Sequence, residues 1–507
     1  MVKHYKGELG EFDYDDKEFE VSEGKYHAVS KEGEDYYVKY KCLKYIGKGL
    51  SVNLPHGCIS TKGMFKDCKL PDGFTLGPDF DTSNVTNMSR MFYNCTKPKG
   101  FSLGDKFDTS NVTDMSYMFS GEVAFDGGSG FIDFSFGDKF DTSNVTNMSG
   151  MFEGCTLSKG FSFGDKFDTS KVTDMSYMFY ECSFEEDFSF GDKFDTSSVT
   201  NMSCMFGGEG KHNAAKNFSL GDKFDTSNVT DMSYMFDWFG CENDDGWTLG
   251  DKFDTSKVTN MDWMFRYAGL PNDLGNKFNT INVKTMSSMF MGSYMPEGFS
   301  LGDKFDTSNV ENMMGTFSCI IHEGFSLPDN FTISGLKDGY DDSRGYEYTV
   351  QDVKDCMFDD YDFGENTINK EFKGLSAEEI IDLLKGKNTD LIKCQIAMLK
   401  LLKEGKTLKE AEEILSSSEL IGKYKNIVGN IQSIGIDTVK SLGSKVEVQL
   451  KNKCSVVAIQ LLSVEDHKDF SDYTIGEVQD ILIGKCFPKD IVNECILNYI
   501  KDEYISK

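Results

Sequence analysis

The chain has 507 residues, more than one ordinary domain needs, so we expect at least two folded regions. Its formal charge of −30 and pI near 4.6 argue against nucleic acid or anionic lipid as a partner, because like charges repel. No apolar run approaches ~18 residues, and the first residues lack the apolar core of a secretion signal. We therefore expect no membrane span. The expected location is the cytoplasm or an exported particle, with the cell surface reached only by a leaderless route.

The first 58 residues predict an N-terminal β cap. Within them, residues 25–40 read as a hairpin that turns at residues 31–34. A stack of repeats has an apolar interior that must be covered at each end, so a cap is needed before the repeats begin.

Residues 59–331 repeat one motif, which in the copy at 101–119 reads Phe-Ser-Leu-Gly-Asp-Lys-Phe-Asp-Thr-Ser-Asn-Val-Thr-Asp-Met-Ser-Tyr-Met-Phe. The phenylalanine before Asp-Thr-Ser, or its equivalent, recurs every 25 to 33 residues. Its positions are Phe80, Phe107, Phe140, Phe167, Phe194, Phe224, Phe253, Phe278 and Phe305. This period predicts a repeat solenoid of about ten turns. The length differences fall after Met-Phe, so we expect loops there that suit partner-specific contacts.

Each copy combines two hydrophobic periods. Phe101 and Leu103 flank Ser102 with the period of two that indicates a short parallel β-strand, whereas the spacing of Val112 and Met115 favours a short helical turn. We expect the phenylalanines and methionines of every copy to fill the interior, which explains the 42 Phe and 24 Met.

The residue between the two apolar strand positions should point outward in each copy, and nearly all of these residues are small hydroxyls. We predict that they form a partner-binding sheet face consisting of Thr75, Ser102, Ser135, Ser162, Ser189, Ser219, Thr248, Ser300 and Ser326. Asp273 is the exception in this row. A protein strand, a glycan or ice are all candidate ligands. The alternative is that small polar side chains simply stack well on a solvated face.

The sequence predicts no catalytic or metal centre. A repeat places its residues in equivalent environments, whereas catalysis needs unlike groups together, so we expect no enzyme activity and no cofactor. Asp108 and its equivalents are expected to cap the segments that follow them. A stacked column of these Asp residues holding calcium is the alternative.

Cysteines follow Met-Phe in some copies, at Cys68, Cys95, Cys155 and Cys182. We expect them to be buried free thiols, and disulfides between adjacent copies are the alternative.

The repeat decays after Phe331 into a degenerate C-terminal cap and linker at 332–372. From residue 373 to 507 the pattern predicts an α-helical domain, beginning with a capping box at Ser376–Glu379. Further helices are predicted at 391–402, 446–463, 474–484 and 488–503. This tail could fold alone or mediate assembly with another subunit, and both alternatives stay open.

The run Phe-Asp-Thr-Ser-Asn-Val-Thr-Asp-Met-Ser-Tyr-Met-Phe, followed in some copies by a cysteine, resembles the BspA-like leucine-rich-repeat surface proteins in their mycoplasma-lipoprotein form. The resemblance covers about residues 59–331. It implies a solenoid of leucine-rich-repeat type and a non-catalytic role in adhesion or receptor binding, alone or as part of a phage-like tail or other assembly. One alternative function is an intracellular protein-interaction scaffold docked through the helical tail. Another is a catalytic tail whose substrate the repeats select.

Overall fold

A computed structural model describes most of the repeat region and part of the rest. The described residues are 1–29, 35–98, 101–121, 131–132, 136–157, 163–184, 190–191, 193–208, 218–221, 223–240, 247–271, 273–296, 298–321, 325–341, 346–358, 372, 375–385, 401, 405–406, 410 and 414. The chain forms two compact units. The first contains Met1–Ile320 and Pro328–Phe363, and the second contains Ile321–Leu327 and Gly364–Lys507.

Regular secondary structure is sparse within the described residues. The strands are β1 (Val2–Gly7), β2 (Gly10–Asp15), β3 (Phe19–Val29), β4 (Asp35–Tyr45), β5 (Ser51–Val52), β6 (Thr75–Leu76), β7 (Phe131–Ile132), β8 (Thr156–Leu157), β9 (Ser183–Phe184), β10 (Gly339–Asp341) and β11 (Tyr346–Tyr348). The helices are α1 (Val350–Cys356) and α2 (Ala377–Leu384). The strands form separate sheets of two or three members.

Two antiparallel hairpins precede the repeats. β1 pairs with β2, and β3 pairs with β4 in the place where the sequence predicts a hairpin. The second hairpin packs on the first copy of the repeat. The Tyr45 amide donates to the Met64 carbonyl at 3.0 Å, and the Tyr45 ring lies 5.6 Å from that of Phe65. These contacts cover the start of the repeat interior.

Successive copies are joined mainly by single parallel bridges, with short parallel strands at β5–β6 and at β7–β8–β9. The bridged residues are Ser60, Asn87, Asp114, Asn147, Asp174, Asn201, Asp231, Asn260, Thr285 and Asn312, each paired with the next. In a typical copy, the Thr113 amide donates backward to the Thr86 carbonyl at 2.9 Å, and the Met115 amide donates forward to Asn147 at 3.0 Å. The backbone amides of this segment are therefore hydrogen-bonded to the copies on both sides of it.

The methionine-rich segment forms turns and not a helical piece. The Met118 amide donates to the Met115 carbonyl, three residues back, at 3.2 Å, whereas the intervening Tyr117 amide donates to Ser149 of the next copy at 2.7 Å. Tyr117 has a φ of 55°, in the left-handed region, which a right-handed helix does not contain. Amides thus alternate between bonds within a turn and bonds between copies.

The predicted fold class is therefore wrong. We expected a leucine-rich-repeat type solenoid built from parallel strands and helical turns, with a C-terminal all-α domain. Instead, the described residues contain two helices and small separate sheets. Among the predicted strand positions that the structure describes, only β6 is a strand, pairing with β5. In the copy at 101–103, the Ser102 hydroxyl accepts a hydrogen bond from the Gly104 amide, which turns the chain locally.

The interior prediction is confirmed. Phe107, Met115 and Phe167 are all buried, as are their equivalents in the other described copies. One column of stacked phenylalanine rings passes through the repeats, with neighbouring centroids 5.2–6.0 Å apart. It consists of Phe65, Phe92, Phe119, Phe152, Phe179, Phe206, Phe236, Phe265, Phe290, Phe317 and Phe358. Identical ring positions in every copy produce this column, because each ring packs on its own equivalent.

The end of the first unit is covered by α1, whose Thr349 and Asp352 form a capping box. Phe358, just beyond this helix, stacks on Phe317 at 5.5 Å. Among the described residues, neither helix has the length and hydropathy that crossing a bilayer requires.

In the second unit, α2 begins with the predicted capping box: the Glu379 amide donates to the Ser376 hydroxyl, and the Ser376 amide donates to the Glu379 carboxylate. The Leu327 amide donates to the Leu384 carbonyl at 2.9 Å. An all-α C-terminal domain is not supported. Of the other predicted helices, the one at 391–402 lies outside the described residues except for Leu401, and those at 446–463, 474–484 and 488–503 lie entirely outside them.

Candidate functional site

The predicted hydroxyl row is exposed wherever the structure describes it in the first unit. Thr75, Ser102, Ser219, Thr248 and Ser300 are exposed, and the apolar residues on both sides of each are buried. Ser326 is half-buried and belongs to the second unit. The remaining predicted positions, Ser135, Ser162 and Ser189, lie outside the described residues. The inward-outward alternation is therefore present without the predicted sheet, and partner binding at this row stays a prediction.

An open groove of about 690 Å³ lies beside this row, between two consecutive copies. Its lining includes Asp273, Asn276, Lys277, Ser300, Asp303 and Lys304. Asp273 and Ser300 occupy the outward position of their copies, so the groove joins two neighbouring members of the predicted face. Equal numbers of carboxylates and ammonium groups line it, so a ligand there would meet both charges.

A second surface lies where the chain turns around Met-Phe, and its aromatic, Arg and Glu side chains are half-buried. We call it the turn face and define it as the residue before Met-Phe and the two residues after it. Its members are Gly63, Lys66, Asp67, Arg90, Tyr93, Asn94, Tyr117, Ser120, Gly121, Gly150, Glu153, Gly154, Tyr177, Tyr180, Glu181, Cys204, Gly207, Gly208, Tyr234, Asp237, Trp238, Trp263, Arg266, Tyr267, Ser288, Met291 and Gly292. Unlike the hydroxyl row, this surface carries different side chains in each copy.

Several large side chains of the turn face sit on left-handed backbone. Tyr117, Tyr234 and Trp263 have φ values of 55°, 57° and 60°. Bulky residues seldom adopt this conformation, because Cβ then crowds the backbone. Bonds between copies hold it in place: the Trp263 amide donates to the Ser287 carbonyl at 2.8 Å, and the Tyr234 amide donates to Asp262 at 2.9 Å.

The aromatic residues of two consecutive copies form a cluster around one arginine. The rings of Tyr234 and Trp263 stack with centroids 5.6 Å apart and an interplanar angle of 3°. The Arg266 guanidinium lies 4.7 Å over the Trp263 ring and makes two hydrogen bonds to Asp237. The ring centroids of Trp238 and Tyr267 lie 4.5 Å apart. Burial raises the pKa of Tyr234 to about 12, so its hydroxyl stays a hydrogen-bond donor at neutral pH.

The repeats of this chain match a known protein family. Residues 59–159, 131–240 and 240–322 match the family described as Mycoplasma protein of unknown function, DUF285, and together they span just over half of the chain. The chain belongs to this family. The leucine-rich-repeat resemblance is not confirmed by this match. No curated protein and no solved structure matches the chain.

The three DUF285 segments contain the whole turn face and every position of the hydroxyl row except Ser326. Membership of the DUF285 family assigns no activity, because its function is unknown. What the surfaces can do must therefore be argued from their chemistry.

The aspartates of the DUF285 repeats act locally. The Asp254 carboxylate accepts the Ser256 amide at 2.9 Å, and Asp141 and Asp195 accept the amide two residues ahead in the same way. Partial burial opposes ionisation of these three carboxyls, but the hydrogen bonds outweigh it and lower the pKa of each. The predicted capping role is confirmed. Within the part of the chain that the structure describes, no three His, Cys, Asp or Glu side chains are grouped to hold a metal ion.

The cysteines predicted as a series are free: Cys95, Cys155 and Cys182 are buried, and Cys68 is half-buried. Burial raises the pKa of Cys155 to about 12, so its thiol stays protonated and poorly nucleophilic.

Sequence reasoning missed the turn face of this DUF285 protein. Two signals for it were present. Two of the three tryptophans, Trp238 and Trp263, lie in it, and the residue before Met-Phe changes from copy to copy while its neighbours hardly change. A difference among otherwise equal copies marks a position that the common core does not dictate.

Proposed function

We propose that this protein is a non-catalytic recognition module that binds a protein or cell-surface partner through side chains exposed by its repeats. One observation carries the proposal: Ser219, Thr248 and Ser300 are exposed while the residues beside them are buried in the common core. A buried, ordered support holds such side chains in place before a partner arrives, which lowers the entropy cost of binding.

The chemistry of the row suits contact rather than reaction. Hydroxyl side chains both donate and accept hydrogen bonds, so they can pair with the backbone or the polar side chains of a partner. Equivalent groups in equivalent settings support binding across several copies.

The test is a charge-matched pair of triple variants of the full chain. One replaces Ser219, Thr248 and Ser300 with Lys, and the other replaces the exposed Thr200, Thr230 and Thr259 of the bridge segment with Lys. A partner is first captured from cell extract by the unaltered chain, purified, and measured by calorimetry with all three proteins.

We expect the hydroxyl-row variant to weaken binding by about tenfold or more, with little change in thermal melting, because exposed positions tolerate substitution. The bridge variant should bind as the unaltered chain does. Equal binding by all three proteins would remove the hydroxyl row from the interface.

A further inference from the structure

We infer that the turn face, and not the hydroxyl row, determines which partner binds, and that the partner presents a basic protein surface there. The inference rests on the proposed function and adds the specificity-determining surface and the charge of the partner.

The two surfaces differ in how much their residues vary from copy to copy. The described hydroxyl row carries Ser or Thr at every first-unit position except Asp273, so its copies offer nearly the same contacts. The residue before Met-Phe is instead Tyr117, Gly150, Cys204 or Trp263 in different copies. A uniform row can add affinity but cannot discriminate partners, since discrimination needs contacts that fit one partner and not another.

The variable residues of the turn face are of types common in protein interfaces. Tyrosine, tryptophan and arginine dominate the energetics of protein interfaces, and tyrosine, serine, glycine and asparagine dominate antibody combining sites. The turn face consists largely of these residues. The copies that lack such residues have Gly150 or Gly315 at the position of Trp263, and the Tyr117 ring of the preceding copy packs where a Gly150 Cβ would lie.

The large side chains of the turn face are held in place by contacts with one another. The stacked pair of Tyr234 and Trp263, together with the paired Arg266 and Asp237, holds the large side chains in one arrangement. Left-handed backbone under bulky residues costs free energy and is typically retained where it serves function. The residue that follows each ring, Met235 or Met264, is buried, whereas the two rings are half-buried. The surface is thus preorganised for a partner.

The charged groups of the turn face indicate the charge of its partner. The cations of the turn face are already engaged, since Lys66 lies over the Tyr93 ring, Arg90 over the Tyr117 ring, and Arg266 over Trp263. Two of its carboxylates, Glu153 and Glu181, are less satisfied. Glu153 accepts one hydrogen bond from the Ser120 hydroxyl, and within the described residues neither Glu153 nor Glu181 has an ion pair.

These two carboxylates belong to consecutive copies and repel each other. Burial, and then the nearby Glu181, raises the pKa of Glu153, although the Ser120 hydrogen bond opposes the rise. A lysine or arginine from a partner would relieve this repulsion, and the overall charge of −30 would attract a basic surface from a distance. Sugar rings fit less well, because the faces of Tyr234 and Trp263 that would stack on them are directed at each other.

The experiment uses a phage library of random dodecapeptides selected on the immobilised full chain, followed by affinity measurement of individual synthetic peptides. The turn-face variants are Tyr234→Gly with Trp263→Gly, which installs a residue found at the same position elsewhere, and Glu153→Gln with Glu181→Gln. The lysine triple variant of the hydroxyl row is measured in parallel, and thermal melting checks that each variant is folded.

We expect the selected peptides to be enriched in Lys and Arg. Each turn-face variant should change the affinity order of the peptides, with losses of about tenfold for the best binders. The hydroxyl-row variant should weaken all peptides to a similar extent. An affinity order that changes only in the hydroxyl-row variant overturns the inference and leaves the proposed function intact. Selected peptides that are acidic overturn the basic partner, and a chain that selects no peptide counts against both proposals.

Discussion

The Arg266 guanidinium donates two hydrogen bonds to the Asp237 carboxylate, from Nε at 2.7 Å and from Nη2 at 2.6 Å, and so ties two consecutive copies of the repeat together. The Asp237 side chain is only 3% exposed, so this carboxylate depends on its partner for solvation. Arg266 also covers the Trp263 ring. One side chain therefore links the interior edge of the copies to the aromatic cluster on the turn face.

Replacing Arg266 with Met should destabilise the protein by about 3 kcal/mol, because it leaves a buried carboxylate without its partner. The measurement is the free energy of unfolding from urea denaturation. The double variant Arg266→Met with Asp237→Asn is the control and should recover part of the loss. Equal stability of the single variant and the unaltered chain would show that the pair contributes nothing.

Replacing Gly150 with Ala should cost about 1–3 kcal/mol, because the added Cβ would overlap the Tyr117 ring and the φ of 59° is strained for alanine. The informative comparison is the double variant Tyr117→Gly with Gly150→Ala. Removing the ring should restore most of the loss, as measured by thermal melting. No recovery would mean that backbone strain, and not the ring, determines the cost.

Replacing Phe167 with Ala should cost about 3–5 kcal/mol, since the side chain is 2% exposed and its ring stacks on that of Phe140 at 6.5 Å. The matched control is Phe167→Leu, which keeps more of the volume and should cost less. Urea denaturation followed by circular dichroism measures both. A cost below about 1 kcal/mol for the alanine variant would contradict a buried position.

Stability should fall in acid through the capping aspartates. The pKa of Asp254 is lower in the folded chain than its ordinary value of 3.8, so its contribution is complete above that value and is lost as the pH falls through the folded value. Denaturation at pH 7 and at pH 3 measures this change. Asp254→Asn should reduce the difference between the two pH values. It keeps the acceptor oxygen, as Asn279 does for the Ile281 amide at 3.0 Å. An unchanged difference would assign the acid sensitivity to other groups.

Cys155 and Cys182 should resist alkylation by iodoacetamide in the folded protein at pH 8. Both thiols are buried, and burial raises the pKa of each, so little thiolate forms and the reagent has no access. Mass spectrometry of digested protein measures labelling at each position. Labelling should become complete in denaturant. Rapid labelling of Cys155 without denaturant would place the thiol at the surface.

The repeat composition was sufficient to predict which residues fill the interior. Phe107, Met115 and Phe167 are buried because each copy has the same apolar positions, and apolar side chains leave water wherever copies pack together. The local turns were also predictable. Asp108 bonds the Ser110 amide two residues ahead, and such contacts need no information from distant parts of the chain.

The alternation of Phe101, Ser102 and Leu103 predicted a strand, but a strand also requires a hydrogen-bonding neighbour in register. The structure places the bridges between copies elsewhere, at Asp114 and its equivalents. The helical spacing of the methionines was misleading for a related reason: the amide of Tyr117 bonds the next copy instead of its own segment. Periodicity records burial, and it does not record where the backbone finds its partner.

By itself, the sequence determined the repeat, its buried Phe and Met positions, the Asp-capped turns and the exposure of the hydroxyl row, because these follow from local spacing and from burial common to all copies. Only the tertiary structure decided the position of the bridges, the left-handed turns and the grouping of Tyr234, Trp263 and Arg266. Those features depend on hydrogen bonds and ring contacts between residues about one repeat apart, and their geometry exists only once the copies have packed together.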